Sequence, residues 1–202
     1  MTRTRKTAEE RQQQIVQAVL DLLPTTPVES LSTTVIARQV GLTQAAIFRH
    51  YPTKNAIWAA VLNEIRKRAR GSWDEALAGA TTPLDRIRAV LAAQLTLITE
   101  FPAIPTLLFT SGRVEAEKDI RPVHLAVMRD LRVLLVAELG AVRAEGQVSQ
   151  PASDQDCADL LMGLIQGTVL RWTLTGHGFD LVAEGRRLID IQLSLFAKGN
   201  LR

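Results

Sequence analysis

The polar side chains most able to do recognition chemistry gather in one short stretch, Ser32 to Tyr51, with Lys54 just beyond it. The Gln44 amide can pair with adenine, and the Arg49 guanidinium with guanine or a phosphate. Thr33 and Thr34 stand where a helix begins. Their hydroxyls, with backbone N–H groups, can bond phosphates. Lys54 opens the next helix and is placed for a phosphate. His50 lies beside Tyr51 and can pack or hydrogen-bond locally as readily as it contacts a partner. Each of these side chains could instead be part of an ordinary solvated face, so the case rests on the frame that holds them.

That frame is two short helices crossing around a tight turn. Ser32 is a cap for Thr33 to Val40 and Gly41 ends that helix. Thr43 caps the next short helix, and Pro52 closes it. Ala37 must be small where the second helix crosses over it, and Gly41 can take the positive φ that the turn needs. Ile36, Val40, Leu42 and Ile47 make the wedge of core between the two helices. With those positions inward, Thr43, Gln44, Ala45, Arg49 and His50 face outward, as they would in a major groove of duplex DNA. A helical hairpin without a nucleic-acid role is the plainer alternative.

The run from Gly41 to Lys54 resembles the TetR family of bacterial repressors. Gly41, Leu42, Thr43, the apolar Ala46 and Ile47, Phe48, Tyr51, Pro52, Thr53 and Lys54 match that family's pattern, and the resemblance is densest over residues 11 to 62. It implies a DNA-binding role for Thr33, Thr34, Thr43, Gln44, Ala45, Phe48, Arg49, His50 and Lys54. One position departs: the family often has tyrosine where this chain has Phe48. A phenylalanine cannot donate the phosphate bond of that hydroxyl, which leaves a thymine methyl or a sugar as its partner. The remaining two-thirds of the chain agrees with the family in layout only.

Charge and composition bound the rest. Residues 1 to 70 carry 11 Lys/Arg against 5 Asp/Glu, and residues 71 to 202 carry 13 against 16. A basic third at +6 on a body at −3 suits a polyanion partner for one end. Apolar residues make up 47% of the 202, enough for a substantial core and too many for wholesale disorder. The single cysteine, Cys157, cannot form an internal disulfide, the first residues lead into no apolar signal, and no apolar run is long enough for a membrane span. A soluble cytoplasmic protein with no membrane role is expected.

Apolar spacing is helical throughout, with no strand-like alternation. Nine helices are predicted: Arg11 to Leu23, the two of the hairpin, Thr53 to about Arg70, Leu84 to Glu100, a short one between Pro102 and Gly112, Ile120 to Glu145, Asp156 to Thr175, and Asp180 to about Ala197. The expected fold is all-α. An N-terminal helix-turn-helix module of three short helices, residues 1 to 54, sits on a six-helix effector and dimerisation bundle, residues 55 to 202.

Two features belong to that body. Gly163 and Gly167, four apart on an otherwise apolar helix, allow close helix approach. With Leu181, Leu188, Ile191, Leu195 and Phe196 of the last helix they could build a two-fold interface, which the family resemblance also implies. The second feature is a few polar groups among apolar ones. Leu95, Thr99, Leu108, Met128, Leu131, Met162, Gln166 and Arg171 are candidates to line a pocket for a small, largely apolar effector, with Arg171 as its polar anchor. Leu and Met at helical spacing also describe a plain core. A lone buried guanidinium is costly, so Arg171 paired to a carboxylate or lying on the surface, with no cavity among these helices, would favour a protein without a ligand.

No enzyme is expected, and no cofactor or metal. His50, His124 and His177 are far apart, no Gly-rich phosphate loop follows a strand, and no GxSxG occurs. The reading is a homodimeric repressor of double-stranded operator DNA, with effector release implied by the resemblance. The rivals are a DNA-organising or co-regulatory protein of the same fold without an effector, and a helical interaction module with no DNA role.

Overall fold

The computed structural model describes residues 7–27, 30–102, 104–105, 117–147 and 152–197, with the side chains of 117–120 outside that description. Eight helices run through these residues, and no β-strand is present among them: α1 (Ala8–Leu22), α2 (Thr33–Val40), α3 (Gln44–His50), α4 (Lys54–Ala78), α5 (Pro83–Glu100), α6 (Glu117–Ala144), α7 (Asp154–Leu174) and α8 (Leu181–Phe196). The short helix expected between Pro102 and Gly112 falls almost wholly outside the described residues, and so does Leu108. The all-α expectation holds.

Helix starts follow local side-chain chemistry. Orphan N–H groups in a first turn need acceptors, and short hydroxyl or carboxylate side chains supply them. Ser32 accepts from Val35 N at 3.2 Å, Thr43 from Ala46 N at 3.2 Å, Thr53 from Ala56 N at 3.0 Å and Thr82 from Asp85 N at 3.2 Å. Ser153 and Asp156 form a reciprocal capping box, and Asp180 caps α8. A second box, Thr7 with Glu10, starts α1 three residues earlier than its apolar stripe suggests.

The chain forms two compact units, Met1–Lys67 with Phe101–His124, and Arg68–Glu100 with Leu125–Arg202. In the first, α1 packs on α2 and α3, and α2 on α3. Its core holds Ile15, Val19, Leu20, Leu23, Leu31, Ile36, Ala37 and Ile47, with Ile57, Trp58, Val61 and Leu62 from the start of α4. In the second, α8 packs on α5 and α7. Leu91, Leu95, Leu131, Leu135, Leu139, Leu161, Ile165 and Ile189 are among its buried residues.

Two further boundaries differ from the sequence-based expectation. Helix α4 continues past Gly71 to Ala78. An interior glycine costs a helix about 1 kcal/mol, and burial of Trp73 two residues later offsets it. The Trp73 indole Nε1 also donates to the buried Gln94 Oε1 at 3.1 Å. Helix α6 begins at Glu117, which puts Pro122 at its sixth residue and beyond its first turn.

Candidate nucleic-acid interface

Helix α3 is held from both ends. At its start, Gly41 takes φ +71 and ψ 37, a left-handed conformation that glycine adopts without steric cost. Leu42 N then bonds Ala37 O at 2.8 Å, which closes the turn. At its end, the Gln12 amide nitrogen on α1 donates to His50 O at 3.1 Å, and Tyr51 Oη donates to Gln12 O at 3.4 Å. Burial pushes the Tyr51 phenol above its ordinary pKa, so it stays a donor. Ile36, Ala37 and Ile47 are buried between the helices, while Val40 and Leu42 are half-buried at the rim of that wedge. The Gln12–His50 and Gln12–Tyr51 brace was not read from the sequence. Glutamine on the polar side of α1 carries no signal that its partner lies 38 or 39 residues away.

The outward face collects most of the expected contact residues. Thr34, Thr43, Gln44, Ala45, Phe48 and Arg49 are exposed, and Phe48 is 40% exposed although aromatic. His50 and Lys54 are half-buried. Thr33 differs: it is only 8% exposed, and its Oγ1 accepts a hydrogen bond from Gln44 Nε2 at 2.7 Å. Its side chain is therefore engaged within the unit, and only Thr34 of the pair presents a hydroxyl outward. Arg38 and Gln39 of α2 are also exposed. From residue 30 to residue 63 the chain has Arg38, Arg49 and Lys54 and no Asp or Glu. No carboxylate of this segment opposes a polyanion at that face.

Leu108 aside, the described residues expected around an effector differ in burial. Leu95, Leu131 and Met162 are buried core of the second unit. Met128 is half-buried, and Thr99 and Gln166 are exposed. Thr99 Oγ1 donates to Thr96 O at 2.7 Å, and Gln166 Nε2 to Met128 Sδ at 3.4 Å. Arg171 corrects the expectation most plainly. It is a surface residue whose Nη2 donates to Glu184 Oε1 at 2.8 Å, with its guanidinium 4.9 Å from the Phe179 ring centroid. The physical reason is the register of α7. Leu160, Gly163, Gln166, Gly167, Leu170, Arg171 and Leu174 form one exposed stripe, so Gln166 and Arg171 point away from the core that their apolar neighbours suggested.

A cleft of about 450 Å³ lies instead beside Thr81, Arg88, Ala89, Ala92, Ile189 and Asp190. An open hollow of about 540 Å³ has Arg171, Phe179, Glu184 and Arg187 on its walls. Of the seven expected ligand residues that are described, Arg171 borders the second hollow and the other six border neither. Among the described residues no group of three or more His, Cys, Asp or Glu is placed to hold a metal ion, and no helix is long and apolar enough to cross a membrane.

The apolar part of the α7 stripe continues on α8. Leu160, Leu170, Leu174, Ile191 and Leu195 are exposed, whereas Leu181 and Phe196, which were expected at an interface, are buried in the unit's own core. A Cβ placed at Gly163 or Gly167 would meet nothing within 4 Å, so these glycines are not required by packing inside the chain.

No family model matches the chain. The HTH-type transcriptional repressor BepR of Brucella suis is 26% identical over 211 residues, spanning 100% of this chain and 99% of BepR. The nucleoid occlusion factor SlmA of Vibrio atlanticus is 26% identical over 173 residues, spanning 85% of this chain and 87% of SlmA. A TetR transcription regulator from Haloarcula marismortui matches in structure with a TM-score of 0.80 at 19% identity, over 94% of this chain and 100% of that one. BepR and the Haloarcula marismortui protein are transcriptional regulators, and SlmA is a nucleoid occlusion factor. The resemblance carried by Gly41 to Lys54 is thus matched by the fold.

Proposed function

The chain has the fold of the TetR-family regulators, and from that premise we propose that it is a dimeric transcriptional repressor of duplex DNA. The DNA-binding part is residues 1 to 54 and the sensing and dimerisation part residues 55 to 202. The observation that carries the reading is the outward face of α3, which is braced at both ends and flanked by a segment without carboxylates. The seven residues of α3 enter a major groove. Gln44 and Arg49 read base edges, while Thr34, Thr43, Lys54 and backbone amides fix the register on phosphates. Two copies meet through the exposed stripe of α7 and α8. They bring two such helices to half-sites about 34 Å apart on a near-palindromic operator.

Selection of binding sites from random duplexes by the purified protein tests this. A preferred sequence should emerge, and its affinity should fall steeply with added salt as phosphate contacts release counterions. Lys54→Ala should weaken all duplexes alike, and Gln44→Ala should relax preference at one base position. Failure to select any duplex, or salt-independent binding, overturns the reading.

Release by a small, largely apolar effector is the finer part of the proposal. A tenfold loss of DNA affinity needs about 1.4 kcal/mol of effector preference for the non-binding conformation. The Arg171–Glu184 pair supports a second reading, a DNA-organising or co-regulatory protein without an effector, and the likeness to SlmA adds to it. Titrating lipophilic acids against the operator complex separates the two. Release by any of them at micromolar concentration favours the first reading, and retention throughout favours the second.

A further inference from the structure

The geometry points to Thr33 as a positioning residue that holds Gln44 ready to read an adenine. This inference rests on the DNA-binding reading and names how one base is specified. Gln44 is the first residue of α3 and Thr33 the first of α2, eleven residues apart, and the turn at Gly41 brings the two helix starts side by side. Gln44 Nε2 donates to Thr33 Oγ1 at 2.7 Å, a short bond for a neutral pair. Thr33 is 8% exposed, and its bond with Gln44 is part-buried. The Gln44 residue is exposed, so the amide beyond that bond faces solvent.

A primary amide carries two N–H donors and one carbonyl oxygen. With one N–H committed to Thr33, Gln44 keeps one donor and its Oε1. Adenine offers the complement in the major groove, an N7 acceptor and an N6 donor. Guanine offers two acceptors there, so Oε1 would have no donor to meet. Glutamine is also among the side chains that lose most rotamer freedom when they are ordered. Here the side chain is restrained before DNA arrives, and a preorganised contact loses less on binding than a free one. Thr33 thus acts through Gln44, whereas its neighbour Thr34 is exposed and acts directly.

The test is a double-mutant cycle on the full chain, read as base preference in site selection and as affinity for the selected duplex. Thr33→Val keeps the shape of a nearly buried side chain and removes the hydroxyl that accepts from Gln44. It should lower the preference for adenine, at the position that Gln44→Ala relaxes, by about threefold to tenfold, the worth of one hydrogen bond. Thr33→Ser should retain the preference. In a Gln44→Ala background, Thr33→Val should change nothing, since the group it positions is gone. The second readout needs no DNA: nuclear relaxation of the Gln44 side-chain amide should show an ordered group in the parent and a mobile one in Thr33→Val. Uniform weakening over all sequences that persists in the Gln44→Ala background overturns the inference and makes Thr33 a phosphate or structural residue. A base other than adenine at that position, or an amide equally mobile in both chains, overturns it as well. A parent chain with an ordered Gln44 amide that selects no duplex removes the DNA-binding reading itself.

Discussion

At Gly185, α8 leaves no room for a side chain beside α5. A Cβ at that position would clash with Leu95 Cδ1 and lie within 3.5 Å of two more Leu95 atoms. The obstructing atom ends a flexible side chain, but Leu95 is fully buried and has little room to turn. Gly185→Ala should therefore destabilise the fold by about 1–3 kcal/mol, the usual cost of overpacking. The shift of the urea midpoint at constant slope measures it. Adding Leu95→Ala should make the pair less than additive, because the second substitution clears the space that the first needs. Full additivity would mean that the two residues do not oppose each other. Neither this contact nor the Thr33–Gln44 bond was legible in the sequence, since each joins residues whose meeting depends on how two helices are laid together. Gly41 was legible: a glycine between two capped helical segments fits only a tight turn, and the backbone there is left-handed.

Helix α7 shows what an element adds to its residues. Its sequence is apolar enough to suggest burial on more than one side, and within the single chain an exposed stripe runs from Leu160 to Leu174. Gly167 lies on that stripe with nothing within 4 Å of an added Cβ. A Gly167→Leu substitution should accordingly leave the melting temperature of the folded chain nearly unchanged at low concentration. It should abolish or weaken self-association by filling the surface where a second copy approaches. Thermal melts followed by circular dichroism check the first half, and sedimentation velocity the second, with a dimer for the parent at micromolar concentration and monomer or misassembled species for the variant. A parent that stays monomeric contradicts the interface, and a Gly167→Leu chain that dimerises as tightly as the parent moves the interface elsewhere. The same register explains why Gln166 and Arg171 lie on the surface and not in the core: on a helix, neighbours in sequence such as Ile165 and Gln166 point about 100° apart.

For the molecule as a whole, acid is the lever that the surface ion pairs predict. Arg187 first and Arg171 second hydrogen-bond the Glu184 carboxylate and hold its pKa at about 2, below the ordinary 4.5. The unfolded chain binds that proton more readily than the folded one. The contribution of Glu184 is therefore fully present above about pH 4.5 and is lost as pH falls toward about 2. Asp156 and Asp159 are shifted downward too, by hydrogen bonds with Ser153 and with Arg132. Stability should decline through this acid range. Glu184→Gln should make the decline shallower, because one of the groups whose protonation drives it has been removed. Urea midpoints collected from pH 5 to pH 2 decide the matter, and parallel curves for parent and variant would remove Glu184 from the account.

Local chemistry determined the elements. Caps at Ser32, Thr43, Thr53, Thr82, Ser153 and Asp180, glycine at the turn and a period near 3.6 are all short-range signals, and they placed the helices and the hairpin that presents Gln44, Phe48 and Arg49. The basic N-terminal third, read against a slightly acidic body, marked the end suited to a polyanion. Tertiary structure decided which face of each helix is covered. Thr33 became internal because α3 lies across the start of α2, and Arg171 became a surface partner of Glu184 because α7 turns its apolar neighbours inward. Composition reports how much apolar surface a helix has. Only packing against particular neighbours determines which part of it remains for another molecule.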